Sequence, residues 1–222
     1  MEAKPLFSVI MCTYNRAQLL PRALGSLLAQ VDIEVAEWEA IVVDDGSTDG
    51  TAELVERYRQ QYDNIRIVWH PHRENRGVGR SRSLGVQVAR GKFVTFLDSD
   101  DEYLPTHLST RKHILLADPA IEFLHGGLDI IGPPLVADKD DPSKLIHLSE
   151  CVAGGTFFVR RELVQRLGGF GDLRYADDAA FFERAVAAGA TIVRTDIPTY
   201  RYYRTTEDSL CTTTYKAQEA QE

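Results

Sequence analysis

Four apolar runs of strand length recur through the first half of the chain, and the first three are each followed by a helical pattern. The runs are Leu6–Cys12 (LFSVIMC), Trp38–Val43 (WEAIVV), Ile65–Trp69 (IRIVW) and Phe93–Leu97 (FVTFL). After the first run, Leu19, Leu20, Ala23, Leu24, Leu27 and Leu28 recur at helical spacing. Pro21 suits the first turn there, where its missing N–H costs nothing. Leu54, Val55, Tyr58 and Tyr62 mark a second helix with Asp49 as its N-cap. Ser81, Leu84, Gly85 and Val88 share one face of a third. The first run reads as a continuous apolar strand, the pattern of a strand covered on both faces. Alternation of strand and helix then gives an α/β unit with a parallel sheet. Ligands of such sheets sit outside the carboxyl ends of the strands. Thr13-Tyr14-Asn15, Asp44-Asp45 and Asp98-Ser99-Asp100 each follow a strand directly and are expected to open onto one rim.

The second half is less regular. Pro105–Ala117 reads as a helix and Ile121–His125 as a strand. Residues 126–148 are rich in Gly, Pro and Asp and read as a long loop or short hairpin, a feature that in a compact domain is usually functional or mobile. Phe157–Val159 reads as a strand running into a helix over Arg161–Leu167, which stops at Gly168-Gly169. Asp178–Ala188 is a further helix with Phe182, Ala185 and Val186 as its expected buried face. Thr191–Val193 and Thr199–Tyr203 close the series as strands. From Thr205 the chain is polar and is expected to fray.

Composition narrows the function. The 222 residues suit a single domain over 1–222, long enough to bury a core without staples. With 44% hydrophobic and 26% charged residues, disordered and low-complexity classes are excluded. The 25 basic and 33 acidic residues give a net charge of −8, which argues against a nucleic-acid partner. A phosphorylated small molecule then needs a metal ion, a helix N-terminus or a few placed arginines. No run reaches the roughly 18 apolar residues of a membrane span, and Met1-Glu2-Ala3-Lys4-Pro5 does not open a signal peptide. Cys12, Cys151 and Cys211 show no metal or redox spacing. The expectation is a cytoplasmic protein, with peripheral association at the cytoplasmic face of a membrane left open.

Three clusters carry chemistry. Asp98-Ser99-Asp100-Asp101 places three carboxylates within four residues, which repel unless a cation or donor relieves them. Magnesium uses one or two carboxylates plus substrate phosphates, so Asp-x-Asp after a buried strand is either a metal–diphosphate bridge or an acidic helix start. Asp44-Asp45-Gly46-Ser47-Thr48-Asp49 joins strand to helix. Turn and capping chemistry accounts for Gly46, Ser47 and Asp49, but less well for two adjacent acids, one of which can accept from a base or a ribose. Asn75–Arg82 (NRGVGRSR) is neither a dinucleotide fingerprint nor a P-loop, and Arg82 is its arginine expected to point inward. Finally, Tyr175-Ala176-Asp177-Asp178 before an apolar helix supplies either a cap or a general base.

Taken in order, SVIMCTYNRAQLLPRAL (Ser8–Leu24), IVVDDGSTDGT (Ile41–Thr51), NRGVGRSRSLG (Asn75–Gly85), GKFVTFLDSDD (Gly91–Asp101), GGTFFVRRELVQRLGGF (Gly154–Phe170) and DDAAFFERAVAAG (Asp177–Gly189) resemble the family 2 glycosyltransferases. The resemblance implies an inverting, hexosyltransferase-type enzyme of polysaccharide or glycoconjugate synthesis. Its fold is GT-A, the nucleotide-diphospho-sugar transferase fold, with a Rossmann-like, mostly parallel sheet flanked by helices. It implies a nucleotide-binding half over about 1–101, an acceptor and catalytic half over about 102–204 and a polar tail over about 205–222. It also implies a nucleotide-sugar donor, usually a UDP-sugar, a hydroxyl acceptor (a saccharide, a lipid-linked sugar or another molecule), and Mg²⁺ or Mn²⁺.

Carried over by position, the backbone at Cys12 and Thr13 and the ring of Tyr14 hold the base. Asp45, rather than Asp44, accepts from the base, and Arg82 contacts base or phosphate. Asp98 and Ser99 lie at the ribose and diphosphate, with Asp98 also on the metal's water shell. Asp100 binds the metal, and Asp178 is the catalytic base. The first of the paired acids is Asp177 where the family often has Glu, and Ser81-Arg82-Ser83 replaces the common Ala-Arg-Asn. No histidine occurs in Tyr202-Tyr203-Arg204…Ser209, which leaves Arg204 as a candidate for neutralising the diphosphate. Segment 126–148 and the tail are candidates for closing over the donor. A nucleotidyltransferase would need a glycine-rich basic loop that Cys12–Arg16 is not. A non-catalytic sugar-nucleotide binder would dispense with Asp100 or Asp178, and both are present.

Overall fold

The computed structural model describes residues 4–70, 73–138, 141, 143–173 and 176–205. Tyr175 and the tail with Ser209 and Cys211 lie outside them. In the first half, β1 (Phe7–Thr13), α1 (Leu20–Leu28), β2 (Trp38–Asp44), α2 (Thr51–Gln61), β3 (Ile65–Trp69), α3 (Val78–Val88) and β4 (Phe93–Phe96) alternate as the hydrophobic pattern requires. The second half adds β5 (Glu102–Tyr103), α4 (His107–Ala117), β6 (Phe123–His125), β7 (Leu128–Ile131), β8 (Leu135–Ala137) and β9 (Leu145–His147). It ends with β10 (Phe158–Arg160), α5 (Arg161–Arg166), α6 (Asp177–Ala187), β11 (Ile192–Arg194) and β12 (Tyr200–Tyr203).

The main sheet runs β11-β6-β10-β4-β1-β2-β3. Pairing is parallel from β4 through β1 and β2 to β3 and between β11 and β6, whereas β10 runs antiparallel between β4 and β6. The segment over 126–148 resolves into β7 and the β8–β9 hairpin, with β7 in a second sheet of order β5-β12-β7.

Strand residues alternate between two cores. Phe7, Val9 and Met11 face one core with Leu20, Ala23, Leu24 and Leu27 of α1. Ile10, Ile41, Val43, Val94 and Phe96 face the other with Val86 of α3 and Phe181 and Ala185 of α6. Of two expected helix faces, that of α3 is met and widened, and that of α6 is rotated. In α3 the buried positions are Gly79, Ser81, Arg82, Gly85 and Val86, with Leu84 and Val88 only partly covered. The cause is close approach: a Cβ on Gly85 would lie 2.5 Å from Ile10 Cγ2, so small residues face β1. In α6 the buried apolar residues are Phe181 and the expected Ala185, Phe182 packs partly against the core, and Val186 is 55% exposed. Phe181 stacks on Phe170 at 4.3 Å between ring centroids, which sets the helix rotation.

Asp49 caps α2 from one residue further out than expected. The N-cap position itself is Gly50 at φ 89°, and Asp49 Oδ1 accepts from the N–H and the hydroxyl of Thr51.

At the opposite end of β2 from the polar clusters, Glu39 is buried beside Ser8, its register partner. Ser8 Oγ donates to its carboxylate at 2.6 Å, the Arg90 N–H at 2.7 Å and Arg66 Nη2 at 2.8 Å. Burial alone would raise this carboxyl, but these donors outweigh it and hold it below the ordinary glutamate range. Glu39→Ala is expected to lose about 3 kcal/mol in urea unfolding, because charged hydrogen bonds disappear inside the sheet. A group with a depressed folded-state pKa stabilises above its unfolded value. The Glu39 contribution therefore fades as pH falls through the depressed pKa, and the parent and variant melts converge in acid.

Candidate active site

Register brings the carboxyl ends of β1, β2 and β4 together. Thr13 lies opposite Asp44, Asp44 opposite Trp69, and the Leu97 N–H donates to Ile10 O at 3.1 Å. A cavity of about 1190 Å³ opens at this edge. Cys12, Thr13, Tyr14, Asp45, Arg82, Asp98, Ser99, Asp100 and Asp178 all line it. Asp44 does not; its Oδ1 accepts from the Ser47 N–H at 3.0 Å, the turn chemistry that its sequence context also allows. The opposite wall is apolar and comes from the β8–β9 hairpin through Leu135, Val136, Leu145 and Ile146.

On the β1 side, Asn15 sits in the left-handed region at φ 52°, with its N–H on Ser47 Oγ and its Oδ1 accepting from the Thr48 N–H. These bonds fix the turn that leaves Tyr14 45% exposed at the cavity mouth. Burial and nearby carboxylates push the Cys12 thiol well above its ordinary range, which disfavours the thiolate. Asp45 carries a role that sequence reasoning missed. Its carboxylate accepts from the Arg76 N–H at 2.6 Å and the Gly77 N–H at 2.8 Å, fastening the loop before α3 to the end of β2. Gly46, at φ 88°, allows this, since a Cβ there would lie 2.5 Å from Arg73 O.

The acid cluster after β4 divides three ways. Asp101 is buried and turned inward; its Oδ2 accepts from Tyr200 Oη and its Oδ1 from the Tyr203 N–H, both at 2.8 Å. Tyr200 Oη in turn accepts from the Asp98 N–H at 3.2 Å. The Asp101–Tyr200 tie thus fixes β12 under the cluster. Asp98 is one-third exposed and lies 3.3 Å from Arg82 Nη2. Asp100 takes no hydrogen bond from another side chain among the described residues, and Arg22 Nη2 donates to its backbone oxygen. Burial and the neighbouring Asp98 raise its carboxyl to about 6, against a smaller pull from Arg16 and Arg22.

Also lining this cavity, α6 begins at Asp177. Asp178 Oδ2 accepts from the Gly154 N–H and Oδ1 from the Ala179 N–H, both at 2.8 Å. Burial raises its pKa, with Asp177 adding to the effect and Arg82 opposing it. Asp177 is buried and bound by Arg82 Nη1 at 2.8 and 3.0 Å. Arg204 reaches the cavity from the end of β12.

A metal at this edge must be held by few protein ligands, for among the described residues no group of three or more His, Cys, Asp or Glu side chains is placed to hold one. Asp100 fits a magnesium-type ion all the same: a half-buried carboxylate with a raised pKa and no side-chain hydrogen bond among the described residues is what a cation relieves, and such ions take one or two carboxylates plus phosphate oxygens. Among the described residues no helix is long and apolar enough to cross a membrane.

Comparison with known proteins gives this geometry a family. A relative from Mycoplasma pneumoniae, an uncharacterized glycosyltransferase, is 43% identical over 104 residues, 47% of this chain and 34% of its own. A putative teichuronic acid biosynthesis glycosyltransferase of Bacillus subtilis, TuaG, is 32% identical over 148 residues, 66% of this chain and 54% of its own. The chain thus spans from a third to about half of the length of such relatives. Staphylococcus aureus TarS, crystallised with UDP-GlcNAc, superposes with a TM-score of 0.74 at 25% identity, over 94% of this chain and 60% of its own. The seven-stranded sheet and its helices are the GT-A frame. Residues 8–120 match the model of glycosyl transferase family 2, and the chain belongs to that family.

Proposed function

We propose that this chain transfers a sugar from a nucleoside-diphosphate sugar, a UDP-sugar, to an acceptor hydroxyl with inversion. One observation carries the reading: the acids after β2 and β4 and the acid at the start of α6 line one cavity. The likeness to TarS, whose complex contains UDP-GlcNAc, supports the donor class. The relative named for teichuronic acid synthesis supports a saccharide acceptor.

In this reading the base lies by Tyr14 and the backbone of Cys12 and Thr13, with Asp45 at its edge. Asp98 and Ser99 face ribose and diphosphate. Asp178 takes the proton of the acceptor hydroxyl as that oxygen attacks the anomeric carbon and the nucleoside diphosphate departs. Two backbone N–H groups aim its carboxylate, and its raised proton affinity favours the transfer. Asp100, with Asp98 beside it, would hold Mg²⁺ or Mn²⁺, which when bound offsets the charge growing on the leaving diphosphate. Arg204 is placed to add positive charge at the same edge.

A panel of sugar nucleotides, assayed for nucleoside-diphosphate release with and without saccharide acceptors, tests the transferase reading. Asp100→Ala is expected to weaken UDP binding in the presence of Mn²⁺ and to abolish its dependence on that ion. Calorimetry that finds the Ala variant and the parent equal would remove Asp100 from the metal role. At the base subsite, Asp45→Ala is expected to raise the donor Kd at least about tenfold, since it loses a base contact and releases the Arg76–Gly77 loop. Cys12→Ser is expected to leave that Kd within about twofold, because only the backbone there faces the ligand.

A further inference from the structure

Arg82 was expected at the donor's base or phosphate, but its surroundings describe a different task. The side chain is 6% exposed. Nη1 makes two bonds to Asp177, at 2.8 and 3.0 Å, and Nη2 lies 3.3 Å from Asp98 Oδ1. Both terminal nitrogens are thus committed to carboxylates, one at the end of β4 and one at the first residue of α6. Behind the guanidinium, the rings of Phe96 and Phe170 lie 5.4 and 5.9 Å from Cζ and block its retreat. A donor phosphate that drew this group toward itself would strain a buried two-bond ion pair, which is costly.

The start of α6 needs such a tie. Its N-cap, Ala176, sits in the left-handed region at φ 54° and has no side chain that can cap the helix. The Arg82–Asp177 pair holds the first turn from outside. Gly154 completes the arrangement. Its N–H donates to Asp178 Oδ2, and a Cβ on it would lie 3.0 Å from both terminal nitrogens of Arg82 and from Asp178 Cβ. Only a residue without a side chain lets the guanidinium, the turn and the base approach this closely.

We propose that Arg82 is a positioning residue for Asp178: it fixes α6 to the acid cluster after β4 through Asp177, with Gly154 as the spacer that seats the base. The proposal rests on the reading of Asp178 as the proton acceptor, and it assigns Arg82 no contact with the donor. Its consequence is that the donor-side acids and the base keep one relative placement whether or not the cavity is filled.

The test is a double-mutant cycle. Arg82→Lys keeps the charge and loses the forked geometry. Its kcat is expected to fall about 10–100-fold with donor KM within about twofold. Placed on Asp178→Asn, the same substitution is expected to cost less than about threefold further, because a residue acting through Asp178 loses its effect when the base is gone. Losses that multiply, or a raised KM with unchanged kcat, would overturn the proposal. Should Arg82→Lys fail to fold, Gly154→Ala replaces it in the cycle with the same expected result, and full activity there overturns the proposal. Calorimetry with UDP judges Arg82 independently of turnover. A Kd within about twofold of the parent supports a positioning role, and a tenfold loss returns Arg82 to the donor site. A parent that binds UDP but releases no nucleoside diphosphate from any donor would refute the transferase reading while leaving that binding comparison in force. A parent that binds no UDP would overturn both.

Discussion

Asp178→Asn is expected to lower kcat by about 10²–10⁴-fold while leaving donor affinity nearly unchanged. An acceptor hydroxyl is a poor nucleophile at neutral pH, and a carboxylate that takes its proton helps only as attack proceeds. Asparagine has nearly the same shape and still accepts one of the two N–H groups that hold the carboxylate, but it takes no proton. The proposed nucleotide subsite is at the ends of β1, β2 and β4, so binding there should be spared. The pH profile carries a second mark. Burial raises the Asp178 pKa, and the base is lost when it is protonated. Parent kcat is therefore expected to fall as pH falls through that raised value, and this acidic limb is expected to vanish in the variant. Asp177→Asn is expected to be milder, because Asp177 is buried on Arg82 and serves orientation. An active, folded Asp178→Asn beside an inactive Asp177→Asn would mean that the roles of the two acids are reversed.

Gly155→Ala is expected to be strongly damaging for so small a substitution. A Cβ on Gly155 would overlap the ring and hydroxyl of Tyr200. Tyr200 is fully buried between Asp101 and Tyr103 and has nowhere to go. Overpacking of this kind costs about 1–3 kcal/mol or more, and at roughly 2–4 °C per kcal/mol for a chain of this size the melting temperature should drop accordingly. Displacing Tyr200 also frees Asp101 and the Asp98 N–H, so donor affinity is expected to fall with stability. Gly25→Ala is the control. Nothing lies within 4 Å of its added Cβ in α1, and it is expected to stabilise by about 0.5–1 kcal/mol. Equal melting temperatures for the two variants would contradict this packing.

The first half of the fold was legible because its signals agree. Apolar runs of strand length, helical periodicity and polar clusters at each strand end all point to one sheet with one functional rim. The nine residues carried over from the family's motifs meet in one cavity because register places the ends of β1, β2 and β4 side by side. What escaped depends on contacts between distant segments. The face of α3 was legible in Ser81 and Gly85, both buried, with Leu84 and Val88 packed at its edge, but the buried Arg82 and the tight approach of Gly85 to Ile10 were not. Val186 has the right spacing for the core of α6, but ring stacking of Phe170 on Phe181 turned the helix away from it. Asp101 looks like its two neighbours in sequence and differs only because Tyr200, a hundred residues later, bonds it from below. Glu39 within an apolar run was a visible anomaly, and its partners Ser8, Arg66 and Arg90 come from other elements.

The most direct measurement is nucleoside-diphosphate release from a panel of sugar nucleotides, run in parallel on the parent and on folded Asp178→Asn with Mn²⁺ present. The parent is predicted to release UDP from at least one UDP-sugar, faster with a saccharide acceptor, and the variant to bind that donor equally but release it about 10²-fold or more slowly. A parent that neither binds nor turns over any sugar nucleotide, or a variant that matches its rate, would contradict the assignment of this cavity to glycosyl transfer.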